Sequence, residues 1–153
     1  MKKSVREEKL KQLEFLIGRW EVEVIHPLIE THSIYGQTTF EWMEKKQFIV
    51  QRSTMNQPEF PSSTLIYDYD SNTGNYIQHY FDSRGVTQLY NMTLEDNVWK
   101  LVRTKPDFSR LDFHQRFIGK INETRDAIDS YWEKSDDGLN WEHDFKLIYR
   151  KVI

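Results

Sequence analysis

"GRWEVEVIH", residues 18–26, is where the periodicity of the chain changes. Every second residue is apolar (Trp20, Val22, Val24) and the residues between are Glu21 and Glu23, the period of two that belongs to a strand with one dry and one wet face. Upstream the spacing is helical. Ser4 and Glu7 fit an S-x-x-E capping box, Leu10, Leu13 and Ile17 recur at helical intervals, and Gly18 offers a stop. One short amphipathic helix is therefore expected over about residues 4–17.

Downstream the period stays near two to the end. Strands are expected at "RWEVEVI" (19–25), "YGQTTFEWM" (35–43), "QFIVQRST" (47–54), "STLIYDY" (63–69), "NYIQHYF" (75–81), "VTQLYNMTL" (86–94), "VWKLVRT" (98–104), "DFHQRFIGKI" (112–121), "AIDSYWEK" (127–134) and "WEHDFKLIYRK" (141–151). Turn-forming pieces such as "DSNTG", "DSRG", "EDN", "NETRD" and "SDDGLN" separate most of them. About ten strands without a helical crossover predict an all-β fold, an antiparallel up-and-down β-barrel over about residues 18–151 of a single domain, 1–153.

Composition narrows the function classes. Only 38% of the residues are hydrophobic, yet 14% are aromatic, so large amphipathic side chains build the interior, which suits a polar-lined cavity. A net charge of -3 supplies no field for a phosphate backbone or an anionic leaflet, and neither nucleic acid nor membrane is expected as a partner. The absence of cysteine removes disulfides, thiolate catalysis and Cys-based zinc sites. "MKKSVREEKLKQLEFLIG" has no apolar run of signal-peptide length and no stretch is long enough to span a bilayer, so the expected location is cytoplasmic.

Alternation also assigns an inner lining. It sends inward Trp99, Leu101 and Arg103, then Phe113, Gln115 and Phe117, then Ile128, Ser130 and Trp132, and on the last strand Trp141, His143, Phe145, Leu147 and Tyr149. "FIVQRST" places Arg52 with Phe48 and Val50, and "NYIQHYF", aromatic on both faces, is read with Ile77, His79 and Phe81 inside. The candidate ligand-binding set is thus Trp20, Arg52, His79, Phe81, Trp99, Arg103, Gln115, Trp132, His143 and Tyr149. Inward arginines need an acidic side chain, water or an anionic ligand group. Two readings stay open: a satisfied structural network or a wet barrel mouth, and a cavity whose arginines orient an acid while the rings cover its apolar body.

Local motifs for other chemistry fail. "YDYDSNTG" starts like a calcium loop, but Gly74 comes one place late and His79 stands where a bidentate Glu should close it. "SDDGLNW" is one residue short of the Asp-box turn of sialidase propellers. The five histidines show no metal-ligand spacing, so no metal is expected, and neither a G-x-S-x-G elbow nor a phosphate-cradling glycine loop is present.

"FLIGRW" (15–20), a G-x-W at the start of the first strand after a short helix, resembles the lipocalin signature, in which the Trp packs across the closed end of the barrel. "HYFDSRGVTQLYNMTL", "FHQRFIG" and "YWEKSDDGLNWEHDF" resemble an uncharacterised bacterial family of lipocalin-like (calycin) barrels, over about residues 10–150. That family is distantly similar to fatty-acid-binding proteins and to nitrobindins, which hold haem through a last-strand histidine. The resemblance is specific as to family and nearly silent about chemistry; the expected lining of rings with a few fixed donors points to a small hydrophobic or amphipathic ligand, with an acidic one among the candidates, and a homodimer is compatible with it. The likeness to nitrobindins implies an alternative, haem ligated by His143, the histidine of the corresponding strand. Otherwise no cofactor is expected. A further alternative, of enzyme class, is a lyase or isomerase acting on a cavity-bound acid, with His143 or Tyr149 moving protons.

Overall fold

The computed structural model describes residues 4–26 and 29–153. Ten strands follow one another: β1 (Gly18–His26), β2 (Ile29–Trp42), β3 (Ile49–Met55), β4 (Ser63–Asp70), β5 (Asn75–Asp82), β6 (Thr87–Glu95), β7 (Val98–Arg103), β8 (His114–Ile121), β9 (Ala127–Ser135) and β10 (Glu142–Lys151). Each pairs antiparallel with its sequence neighbours, and β1 closes the barrel on β10 through the register Trp20↔Lys151 to Ile25↔Lys146. Closure removes the free edges that an open ten-stranded meander would expose. The expected architecture is the observed one, strand for strand, and it is consistent with calycin-like barrels.

The turns explain the false motifs. In the calcium-like stretch Asp70 accepts from the backbone N–H of Asn72 with its carboxylate and from that of Gly74 with its carbonyl, and Gly74 takes φ 76°, so the acidic side chain closes a hairpin. In "SDDGLNW" the Asp137 carboxylate gathers the N–H groups of Leu139 and Asn140 and the Ser135 hydroxyl in the same way.

The helix is shorter than its periodicity suggests. α1 runs Val5–Lys11, with Ser4 Oγ accepting from Glu7 N at 3.1 Å, and after a turn a 3-10 segment covers Glu14–Leu16. Three residues per turn keep positions three apart in line, so Leu10, Leu13 and Leu16 are the buried row and Ile17 is only partly covered. This row plugs one end of the barrel. Trp20 Nε1 donates to Leu16 O at 2.8 Å, the Tyr76 hydroxyl to Lys9 O at 2.6 Å and Lys151 Nζ to Phe15 O at 2.7 Å. Gly18 joins plug to barrel at φ 134°, where a Cβ would collide with the carbonyl of Ile153. Behind the plug the core packs Trp20, Phe40, Ile49 and Tyr67 against the three leucines. Among the described residues no helix is long and apolar enough to cross a membrane.

Candidate functional site

The end opposite the plug is hollow. A cavity of about 570 Å³ lies between the β7–β10 wall and the β3–β6 wall, within the roughly 300–1,000 Å³ of small-molecule sites. Its mouth is framed by the β3–β4, β5–β6 and β7–β8 connections, which supply Phe60, Pro61, Arg84, Val86, Arg110, Asp112 and Phe113.

One wall is aromatic. Trp99 meets Phe117 edge-on at 5.0 Å between ring centres and lies 6.3 Å from Tyr149, while Trp132 is 5.3 Å from Phe117 and 5.6 Å from Tyr90. Gly119 lies opposite Trp99 across the strands, and a Cβ there would press on Ile128 and Phe117; the missing side chain lets these groups approach. The other wall is amphipathic. Gln78 Nε2 donates to the Tyr67 hydroxyl at 2.9 Å, that hydroxyl donates to Gln51 Oε1 at 2.5 Å, and Gln51 Nε2 donates to Thr38 Oγ1 at 2.8 Å, itself 2.6 Å from Ser53 Oγ. These groups are satisfied by one another, which is how buried amides and hydroxyls persist in an interior.

Of the residues expected to line the interior, Trp99, Arg103, Gln115, Trp132 and Tyr149 border the cavity. Trp20 is fully buried but belongs to the closed end, edge-on to Phe40 at 6.5 Å. The expected inward placement of four others is corrected. Arg52 faces outward, with Nη1 3.7 Å from Glu41 Oε2, because β3 turns Gln51, Ser53 and Met55 inward. On β5 the inner residues are Tyr76, Gln78 and Tyr80, which leaves His79 outside, 3.9 Å from Asp68, and Phe81 exposed. On β5 the inner face is the more polar one, its amide and hydroxyls being hydrogen-bonded, so hydropathy contrast points the wrong way. On β3 Ile49 and Val50 make both faces apolar at the start and the hydrogen-bonded Gln51 stands inward, so contrast does not separate the faces.

His143 is displaced by a β-bulge. β10 and β9 pair His143↔Glu133 and Phe145↔Trp132, so Asp144 is an extra residue and the alternation shifts by one. Phe145, Leu147 and Tyr149 look inward, whereas His143 is exposed on the outer surface beside Lys120, Asp129, Tyr131 and Lys146. Trp141 also lies outside, its ring 4.1 Å under the guanidinium of Arg116. The cavity wall contains no histidine among the described residues, so the residues present do not fit the expected axial ligation of haem by His143. No cluster of three metal-ligating side chains occurs among the described residues either.

Arg103 is 4% exposed and answers the question of the inward arginines. Its Nε and Nη2 each lie 3.0 Å from a carboxylate oxygen of Asp107, and Nη2 also donates to Ser109 O at 2.9 Å. Asp107 accepts in addition from the N–H groups of Leu89 and Ser109. Burial alone would raise its pKa; Arg103 and those two N–H groups outweigh it and hold the carboxyl at about 2. Asp107 thus comes from the β7–β8 connection, which alternation does not reach; the one signal for it is an Asp four residues after an inward Arg. Tyr67, Gln51, Gln78, Tyr80 and Tyr90 are likewise interior groups that the sequence reading missed.

Burial raises the tyrosine hydroxyls well above their ordinary range at Tyr149, Tyr67, Tyr80 and Tyr90, so the interior keeps them neutral. The Tyr149 hydroxyl differs from the others: it makes no hydrogen bond to the described residues, and it borders the cavity. Trp99 Nε1 is also buried without a partner.

No family model matches the chain, and no curated protein matches it. In structure it is similar to Rv2717c from M. tuberculosis, solved by crystallography, with a TM-score of 0.64 over 94% of this chain and 97% of that one. The likeness is one of fold. At 13% sequence identity the comparison shows the barrel alone.

Proposed function

We propose that the barrel reversibly sequesters a small molecule with an apolar body. The observation that carries this reading is the cavity itself: about 570 Å³, open at one end, plugged at the other, and walled by rings together with a few hydrogen-bonding groups. Close-packed interiors hold few voids larger than a water molecule, so a hollow of this size is a departure that asks for an occupant. Burial of a ligand's apolar surface against Trp99, Phe117 and Trp132 supplies most of the affinity, at about 25 cal/mol per Å² before the cost of association.

A closed barrel of this fold is compatible with ligand binding. Of the two alternatives, haem ligation by His143 loses its ligand to the outer surface, and proton transfer on a bound acid would fall to Tyr149, whose hydroxyl burial keeps protonated. The test is denaturing solvent extraction of the purified protein followed by mass spectrometry, alongside titration of the extracted and refolded protein with diphenylhexatriene, an uncharged hydrocarbon probe. Sequestration predicts a saturable site of one probe per chain, blocked by whatever molecule is extracted. Unsaturable, partition-like probe uptake overturns it.

A further inference from the structure

The charges around the cavity cancel in pairs. Three arginines border it, and each has its own aspartate: Arg84 Nη2 is 2.7 Å from Asp82, Arg103 is doubly bonded to Asp107 at 3.0 Å, and Arg110 Nε is 2.7 Å from Asp112. No lysine or histidine of the described residues lines the wall. Arg84 and Arg110 stand exposed at the mouth, and only the Arg103–Asp107 pair is buried, so a carboxylate drawn past the mouth loses its hydration and meets Arg103 already held by its aspartate, which makes deep entry costly. The remaining polar side chains of the wall are glutamines, serines and tyrosines, all uncharged. The medium already resists negative charge: burial is the foremost reason that Tyr80, Tyr90 and Tyr149 stay protonated, and at Tyr90 the pull of Arg103 is opposed by Asp107.

Depth supplies the second half of the argument. β10 runs from the mouth toward the plug, and Tyr149 stands near its inner end, paired across the strands with Val22 and packed beside Trp99. Its hydroxyl, free of partners among the described residues, is a neutral donor and acceptor at the deep end of the pocket, where Gln51 and Gln78 of the facing wall are taken up by Tyr67 and Thr38. An unmet polar group in such a place is satisfied by water or by a ligand atom.

We infer that the cavity selects an uncharged amphipathic molecule, one whose single neutral oxygen hydrogen-bonds the Tyr149 hydroxyl at the deep end, and that it discriminates against carboxylic acids of the same shape. This rests on the sequestration reading and gives it a ligand class. The experiment is displacement of diphenylhexatriene by 1-dodecanol and by dodecanoate at about pH 8, where the acid is ionised. The alcohol should bind at least about tenfold more tightly. Tyr149→Phe should weaken 1-dodecanol about fivefold more than it weakens diphenylhexatriene. Asp107→Asn, which uncovers the charge of Arg103, should tighten dodecanoate severalfold. If Asp107→Asn does not fold, the wild-type order and Tyr149→Phe decide. Dodecanoate binding as tightly as the alcohol, or Tyr149→Phe affecting alcohol and hydrocarbon alike, overturns the inference and leaves sequestration standing. Failure of the probe, the alcohol and the acid all to bind overturns sequestration itself.

Discussion

Arg103 and Asp107 form a buried ion pair whose members are nearly useless apart. Its solvation cost is met only while both are present, so Arg103→Ala or Asp107→Ala strands a charge and should destabilise the fold by about 3 kcal/mol, read as a lowered urea midpoint. The carboxyl pKa is depressed in the fold, so its contribution is complete above the usual carboxylate range and fades as pH falls through about 4 toward 2. Unfolding curves across that window should therefore show a steeper acid loss in the wild type than in Asp107→Asn; parallel losses would mean that Asp107 is not held down by the fold. The inward direction of Arg103 was legible from its phase with Trp99 and Leu101. Its partner was not, because residues 105–111 carry no period and Asp107 meets Arg103 only once the loop folds back.

At the scale of elements, the plug and the strands were legible for different reasons. Ser4, Glu7 and the leucines announced a helix, and the 3-10 turn that shortens it changed only which side chain follows Leu13 inward, Leu16 in place of Ile17. Leu13 is the fully buried middle of the plug's leucine row, so Leu13→Ala should cost about 3 kcal/mol and lower the melting temperature by roughly 6–12 °C. A shift of a degree or two would show that the helix rests loosely on the barrel. The strands were visible wherever one face is wet and the other dry, as in β1 and β7. Their orientation was lost where the interior is polar, as with Gln51 and Gln78, and where Asp144 bulges and turns His143 out, since a bulge leaves no mark in the alternation of one strand read alone. His143→Ala should consequently leave both stability and probe binding unchanged.

For the whole molecule, the division of labour is between a packed end and an empty one. Plug, Trp20 and Phe40 supply cohesion at one end, and the other end keeps its space because rings and glutamines are propped by strands that close on themselves. Sequestration depends on that space being a site. Its most direct test is a pair of diphenylhexatriene isotherms, one with Leu147→Trp, which fills the cavity from β10, and one with Ile148→Trp, the adjacent residue on the outer face. Saturable binding that Leu147→Trp abolishes and Ile148→Trp leaves intact, with both variants keeping the β-sheet circular dichroism of the wild type, is the predicted result. Equal binding by the two variants would contradict it.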